Sequence, residues 1–258
     1  MHTITINGTS ITFDDQGLDD GPALLLLTGW GHDHRAYDEL LPYLVPRHRV
    51  IRMDWRGHGI DRTPVAEFGL AEQVSDVIGL LDALSVDSFV PVAHAHAGWT
   101  ALQLADRLGA ARVPARREFL NGIRAFRDPA RWQSSRLEFL RAWLAGSHNE
   151  AVSRHIRAEM GGFGFDVWAR AGRVIEDAYA TWGSPMSRME KMIEPRRVQH
   201  IFCRPERTAY DDLHHEFRAR NPWFSYARLD GTTHFPQLEL PLRVAEELRD
   251  LLAADRDH

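Results

Sequence analysis

The chain has 258 residues, 44% of them hydrophobic, and its 36 acidic and 31 basic residues give a net charge of −5. A chain of this length can bury one sizeable core, and large open α/β sheets commonly reach this length as one domain. The charges are mixed along the sequence, without the basic run that binding a phosphate backbone requires. Nucleic acid is therefore not expected as a partner.

The compartment is indicated by two features of the sequence. Cys203 is the single cysteine and cannot form an intramolecular disulfide, and the N-terminal sequence MHTITINGTSITF alternates like a strand instead of resembling a signal peptide. The longest apolar run, residues 23–27, is far shorter than the roughly 20 residues of a membrane-spanning helix. We therefore expect a cytoplasmic protein that neither crosses nor binds a membrane.

The N-terminal half alternates between strand and helix patterns. Residues 3–6 and 10–14 flank Asn7-Gly8 with alternating apolar positions, which predicts an antiparallel hairpin with a tight turn. Beyond the hairpin, short apolar runs predict strands and stretches with helical spacing predict helices. The predicted strands are 23–28, 48–53 and 88–93, and the predicted helices are 35–44, 71–84 and about 97–109. Such alternation predicts a mostly parallel sheet buried on both faces by helices.

The C-terminal half contains a long helical segment before the sheet resumes. Residues 117–192 show helical patterning and are rich in tryptophan, which predicts a helical cap inserted between strands of a single domain over 1–258. Strands are predicted again at 198–203 and 223–229, and Pro241 precedes a closing helix.

Residues 93–98, AHAHAG, have the form of a nucleophile elbow without a nucleophile. They follow a predicted strand and open a predicted helix, as does the small-x-nucleophile-x-small turn of α/β hydrolases. The central residue is Ala95, whose methyl group cannot attack a carbonyl, so serine-dependent hydrolysis is disfavoured. Taken alone, these six residues also fit an ordinary tight strand–helix connection.

Three further motifs occur in the order found in α/β hydrolases. GWGH (29–32) follows one strand, DWRGHG (54–59) the next, and GTTHFP (231–236) the last. The second and third match the RGHG turn and the catalytic-histidine loop of that fold. These motifs predict an α/β-hydrolase fold, a mostly parallel sheet flanked by helices with a helical cap.

A wider set of segments resembles one branch of that superfamily, the cofactor-free 2,4-dioxygenases of 3-hydroxy-4(1H)-quinolones. The segments are GWGHDH (29–34), DWRGHG (54–59), HAHAGW (94–99), GRVIEDAY (172–179) with GSPM (183–186), and NPWFSYARLDGTTHFP (221–236). The resemblance implies O2-dependent ring cleavage of 2-methyl or 2-alkyl quinolones without cofactor or metal. Carbon monoxide and an N-acylanthranilate would be the products.

The resemblance also implies roles for individual residues. His234 matches the histidine that removes the 3-hydroxyl proton, and an imidazole with an ordinary pKa of ~6.5 suits that role. The backbone N–H groups of Trp30 and His96 match an oxyanion hole. The side chains expected to contact the substrate are those of Trp30, His32, Ala95, His96 and Trp143, with His94 and His34 as weaker candidates. For each histidine the alternative is a purely structural hydrogen bond.

Two departures from the family pattern concern the elbow and the sheet. Family members usually carry a serine where this chain has Ala95, so we expect weaker substrate binding by ~1 kcal/mol. The family also has a strand ending in an acidic residue before the cap, whereas residues 111–118 contain no apolar run. We therefore expect one inner strand to be missing, together with the acid that would orient His234. Asp54, Glu118 and Asp128 are not assigned that role.

These departures leave other functions open. The first is a catalytically impaired relative that binds quinolones without cleaving them. The second is an α/β hydrolase in which His234 activates water without a serine nucleophile. The third, a metal enzyme built from the closely spaced histidines, is disfavoured because no carboxylate ligands lie at convincing spacing.

Overall fold

The computed structural model describes residues 1–18, 22–59, 65–105, 126–192, 197–204 and 208–254. Within these ranges the strands form two sheets. The larger sheet contains β1 (His2–Ile6), β2 (Thr9–Gly17), β3 (Ala23–Leu27), β4 (Arg49–Met53) and β5 (Phe89–Ala93), and the smaller contains β6 (Val198–Phe202) and β7 (Phe224–Arg228). The larger sheet is mixed, with parallel pairing among β3, β4 and β5 and antiparallel pairing of β1 and β2.

The larger sheet has the order β1-β2-β4-β3-β5. β1 and β2 form the predicted antiparallel hairpin, whose turn places Asn7 at φ +51° and Gly8 at φ +74°. Two successive residues with positive φ match the right-handed twist of the paired strands. β3 is parallel to both β4 and β5, and all five of its residues are buried. β3 is therefore an inner strand, covered on both faces.

The described helices cover these sheets and form the segment between β5 and β6. They are α1 (Leu41–Leu44), α2 (Leu70–Ala83), α3 (Ala97–Ala105), α4 (Trp132–Leu144), α5 (Glu150–Arg154), α6 (Phe165–Trp182), α7 (Pro185–Met189), α8 (Thr208–Arg220), α9 (Pro236–Glu239) and α10 (Pro241–Ala254). None of them is long and apolar enough to cross a membrane. Residues 126–192 are mainly helical, as predicted for the cap, whereas 106–125 lie outside the described residues. The single-domain assignment stays a prediction.

Two segments differ from the sequence-based expectation. The predicted helix 35–44 is instead a 3-10 turn, His34–Tyr37, followed by the short α1. Pro42 lies in the first turn of α1, and because it has no N–H it cannot continue a helix from the preceding turn. No element was predicted for α8, which connects the parallel strands β6 and β7. A parallel pair requires such a crossover connection.

The predicted loss of an inner strand concerns residues 111–118, which lie outside the described residues. On either side of that gap, β5 and β6 belong to different sheets and do not pair with each other. The missing strand stays a prediction.

We expect Ala95→Gly to raise the free energy of unfolding by about 0.5–1 kcal/mol. Ala95 has φ +52°, where a Cβ atom is strained and glycine is not. Urea unfolding of the wild type and the variant measures the difference. Ala97→Gly, at the start of α3, is the matched control and should destabilise the protein. A loss of stability in Ala95→Gly as large as in the control would contradict the strained turn.

Candidate active site

The elbow turn lies between β5 and α3. Ala95 has a positive φ and is exposed, whereas the histidines on either side, His94 and His96, are buried. A non-glycine residue with positive φ at a strand-to-helix turn is the geometry of the α/β-hydrolase elbow. The turn thus presents a methyl group where a hydrolase presents its nucleophile, and it directs two imidazoles into the interior.

The backbone of His234 is held from two sides. His234 lies in the loop between β7 and α9, and its N–H donates to the Trp143 carbonyl at 3.1 Å. Its own carbonyl accepts a hydrogen bond from His94 Nε2 at 3.0 Å. The Trp143 ring also stacks on the His234 ring, with centroids 5.6 Å apart and planes 17° apart. The cap helix α4 and the elbow therefore fix the position of His234 together.

The hydrogen bond of His94 determines its tautomer. A carbonyl can only accept, so His94 Nε2 carries the hydrogen and Nδ1 of the neutral ring is a lone-pair acceptor. That Nδ1 is buried and has no hydrogen-bond partner. A Cβ atom at Gly29 would lie 2.8 Å from it and 2.9 Å from His32 Cδ2, so only glycine fits between the two rings.

Burial keeps the imidazoles around the elbow neutral. Desolvation lowers the pKa of His94 and of His96 to about 3, and that of the half-buried His234 to about 4. Desolvation also lowers the pKa of His32 well below its ordinary value, and the neighbouring His155 lowers it further. At neutral pH these four rings are uncharged, and His234 has a free lone pair with which to accept a proton.

Aromatic side chains from the cap surround Trp30. Its ring lies 4.6 Å from that of Phe126, 5.1 Å from Trp168 and 6.4 Å from Trp143. Trp30 is 3% exposed, and its indole N–H has no hydrogen-bond partner. Such a cluster can flank a flat aromatic ligand, and the indole can donate to it. Trp168 is itself fully buried within this cluster.

Several of the residues predicted from the sequence lie together. His32, His94, Trp143 and His234 lie in one cluster, since the His32 ring is 5.2 Å from His94 and the His94 ring is 5.1 Å from His234. Neither Trp30 nor His96 donates its backbone N–H to a described acceptor, which leaves both groups available for a ligand oxygen. Their role as an oxyanion hole stays a prediction.

His34 points elsewhere. Its Nδ1 lies 2.9 Å from Asp54 Oδ2, and its backbone N–H donates to Asp54 Oδ1 at 2.6 Å. Burial opposes protonation of His34, but the hydrogen bond and the charge of Asp54 outweigh it and raise the pKa of His34 above its ordinary value. This pair fixes the turn after β3, and Asp54 is not a partner of His234. In the described part of the chain no carboxylate contacts the His234 ring.

Glu239 holds the loop that carries His234 and was not found by sequence analysis. Its Oε1 accepts hydrogen bonds from the N–H and hydroxyl of Thr232, and its Oε2 accepts from the same two groups of Thr233, all at 2.7–2.9 Å. Burial alone would raise the pKa of Glu239, but these hydrogen bonds outweigh it and lower the pKa. A carboxylate five residues after a loop histidine is too common a pattern to have identified it.

The similarity to known proteins decides the family. The α/β hydrolase family model matches residues 24–247. A 2-heptyl-3-hydroxy-4(1H)-quinolone dioxygenase of Mycobacteroides abscessus is 55% identical over 265 aligned positions, covering 98% of each chain. The chain belongs to the 3-hydroxy-4-quinolone dioxygenase family of α/β hydrolases. A 1H-3-hydroxy-4-oxoquinoline 2,4-dioxygenase of Pseudomonas putida is 34% identical over 98% of this chain and all of the relative.

Solved structures of such dioxygenases have the same fold. The structure of AqdC, described with recognition and ring cleavage of the Pseudomonas quinolone signal, superposes with a TM-score of 0.93 at 54% identity over 98% of this chain and 100% of that chain. The structure of 1H-3-hydroxy-4-oxoquinoline 2,4-dioxygenase superposes with a TM-score of 0.92 at 33% identity, over 98% of this chain and 100% of that chain. The 265 aligned positions with the M. abscessus dioxygenase exceed the 258 residues here, so that relative has residues without a counterpart in this chain.

We expect Glu239→Gln to lower the free energy of unfolding of this dioxygenase-family chain by about 2 kcal/mol. The glutamine amide keeps one oxygen that accepts hydrogen bonds. Its NH2 group faces two of the four N–H and hydroxyl donors of Thr232 and Thr233 and cannot accept from them. Because the pKa of Glu239 is lowered in the folded state, the difference is full above about pH 4.3 and shrinks as the pH falls through the lowered pKa.

Urea unfolding at pH 7 and pH 3 measures this difference. Glu246→Gln is the matched control, because Glu246 forms an exposed ion pair with Arg243 and should contribute under about 0.5 kcal/mol. Equal stability of the two variants at pH 7 would show that Glu239 does not hold the loop.

Proposed function

We propose that this chain cleaves the heterocyclic ring of 2-methyl- or 2-alkyl-3-hydroxy-4(1H)-quinolones with O2 and without a cofactor. The relatives at 51–55% identity are dioxygenases of 2-heptyl-3-hydroxy-4-quinolones. The observation that carries the proposal for this chain is the neutral, half-buried His234, which stacks on Trp143 close to an elbow that has no nucleophile.

His234 acts as the general base in this proposal. Its neutral imidazole takes the proton of the 3-hydroxyl group, and the resulting electron-rich anion reacts directly with O2. Both oxygen atoms enter the products, so that quinolone plus O2 gives carbon monoxide plus the N-acylanthranilate. The backbone N–H groups of Trp30 and His96 would stabilise negative charge on oxygen as it develops.

The substrate lies between elbow and cap in this proposal. Trp30 and Trp143 flank the flat heterocycle, and His32, His94 and His96 border it with the methyl group of Ala95. No step passes through a metal, and no group of three or more His, Cys, Asp or Glu side chains suited to a metal ion occurs among the described residues. The cytoplasmic location expected from the sequence stays a prediction.

The test is O2 uptake and carbon monoxide release by EDTA-treated protein with 2-methyl-3-hydroxy-4(1H)-quinolone. We expect equal amounts of both, and a fall in kcat of roughly 10²–10⁴-fold in His234→Ala, the usual contribution of a general base. His148→Ala, at an exposed position of the cap, is the matched control and should leave the rate unchanged. Folded wild-type protein that binds the quinolone without consuming O2 would instead be an impaired relative.

The pH dependence of kcat/KM should reflect the lowered pKa of His234. Below its pKa of about 4 the imidazole is protonated and cannot accept the 3-hydroxyl proton, so activity is lost only as the pH falls toward that value. We therefore expect no His234 titration between about pH 5 and 8, the range in which an ordinary histidine changes charge. Titration of the free quinolone separates its own ionisation from that of the enzyme. An acidic limb near pH 6.5 would contradict the desolvated base.

A further inference from the structure

His155 is a buried histidine of the cap to which sequence analysis gave no role. It begins the π-helical turn His155–Glu159, which follows α5, and it is 2% exposed. π-helical turns are rare and occur frequently at functional sites, because the wider turn changes the direction of a side chain. Here the turn brings His155 against a residue of the site.

His155 contacts His32 through a ring nitrogen. His155 Nε2 lies 2.6 Å from His32 Nδ1, and the two ring planes are 10° apart. A hydrogen bond between two imidazole nitrogens needs one N–H group and one lone pair, so a single hydrogen lies between the rings. Whichever ring donates it determines the tautomer of neutral His32, and thus whether His32 Nε2 is a donor or an acceptor.

The position of His94 favours one direction for this hydrogen bond. The Nδ1 of His94 is a lone pair, because His94 Nε2 donates to the His234 carbonyl. His94 Nδ1 and His32 Cδ2 border the same space beside Gly29. A Cβ atom at Gly29 would lie 2.8 Å from His94 Nδ1 and 2.9 Å from His32 Cδ2. Cδ2 and the bonded Nε2 form one edge of the His32 ring. When Nε2 carries a hydrogen, this edge attracts the lone pair of His94 Nδ1. When Nε2 carries a lone pair instead, the two lone pairs repel each other. This contact favours the tautomer of His32 that carries its hydrogen on Nε2 and accepts from His155 at Nδ1.

We propose that His155 is a positioning residue for His32: its Nε2–H donates to His32 Nδ1 and so keeps His32 Nε2–H available as a donor to a substrate oxygen. This inference rests on the proposed function, in which proton removal by His234 leaves a negatively charged oxygen in the pocket. A lone pair on His32 Nε2 would repel that oxygen, whereas an N–H group stabilises it.

The tautomer of His32 can be measured by ¹⁵N NMR of the histidine rings, without substrate. We expect the Nε2–H tautomer of His32 in the wild type. In His155→Phe the donor is lost, so the ring signals of His32 should shift toward a mixture of tautomers. In His155→Gln the side-chain amide can still donate, so the tautomer should be kept. His148→Phe removes an exposed imidazole from the same cap and is the matched control.

Kinetics with 2-methyl-3-hydroxy-4(1H)-quinolone supply the second readout. We expect kcat/KM to fall roughly tenfold in His155→Phe, the effect of one hydrogen bond to the site, and to recover to within about threefold of the wild type in His155→Gln. The control should match the wild type. A packing role alone would give the opposite order, since phenylalanine fills the buried space better than glutamine.

Two results would overturn the proposal: the Nδ1–H tautomer of His32 in the wild type, or unchanged His32 ring signals in a folded His155→Phe. If that variant does not fold, the wild-type tautomer and the His155→Gln variant still decide. A wild-type protein without turnover would contradict the proposed function and leave the NMR test intact.

Discussion

The structure around the site depends on the two backbone hydrogen bonds of His234. Its N–H is bound by the Trp143 carbonyl of the cap, and its carbonyl by His94 of the elbow. Glu239 fixes the two threonines that precede it. Because these partners lie on separate parts of the chain, the imidazole reaches its place only when cap, elbow and sheet are all folded. The stacked Trp143 ring then covers one face of the base.

Desolvation is the consequence of that enclosure, and it decides the chemistry. The cap and elbow lower the pKa of His234 to about 4, and the described residues place no carboxylate against its ring. The protonated ring is therefore unfavourable on its own and favourable beside an anion. Proton transfer from a bound hydroxyl creates both charges together, so the base is charged only while a substrate anion lies next to it. This coupling gives a physical reason why such a site can work with Ala95 at the elbow.

Local patterns predicted most of the described secondary structure. The strands 23–28, 48–53, 88–93, 198–203 and 223–229 appear within one residue of their expected bounds, and the Asn7-Gly8 hairpin forms with a second strand that extends three residues beyond its expected end. The prediction of one helix over 35–44 was wrong. It relied on the helical spacing of the apolar side chains and did not take into account that Pro42 has no N–H to continue a helix. Helix α8 was not predicted, although Tyr210, Leu213 and Phe217 recur at helical spacing in its otherwise polar sequence.

The sequence by itself determined the elbow turn, the absence of a nucleophile at Ala95 and the loop that carries His234, because a turn or a strand is specified by neighbouring residues. Only the tertiary structure decided which histidines meet. His32 pairs with His155, 123 residues away, whereas His34, two residues from His32, is taken by Asp54. Contacts over such separations depend on how whole elements pack, and the pKa values depend on the burial that results. Neither these contacts nor these pKa values can be predicted from the spacing of neighbouring residues in the sequence.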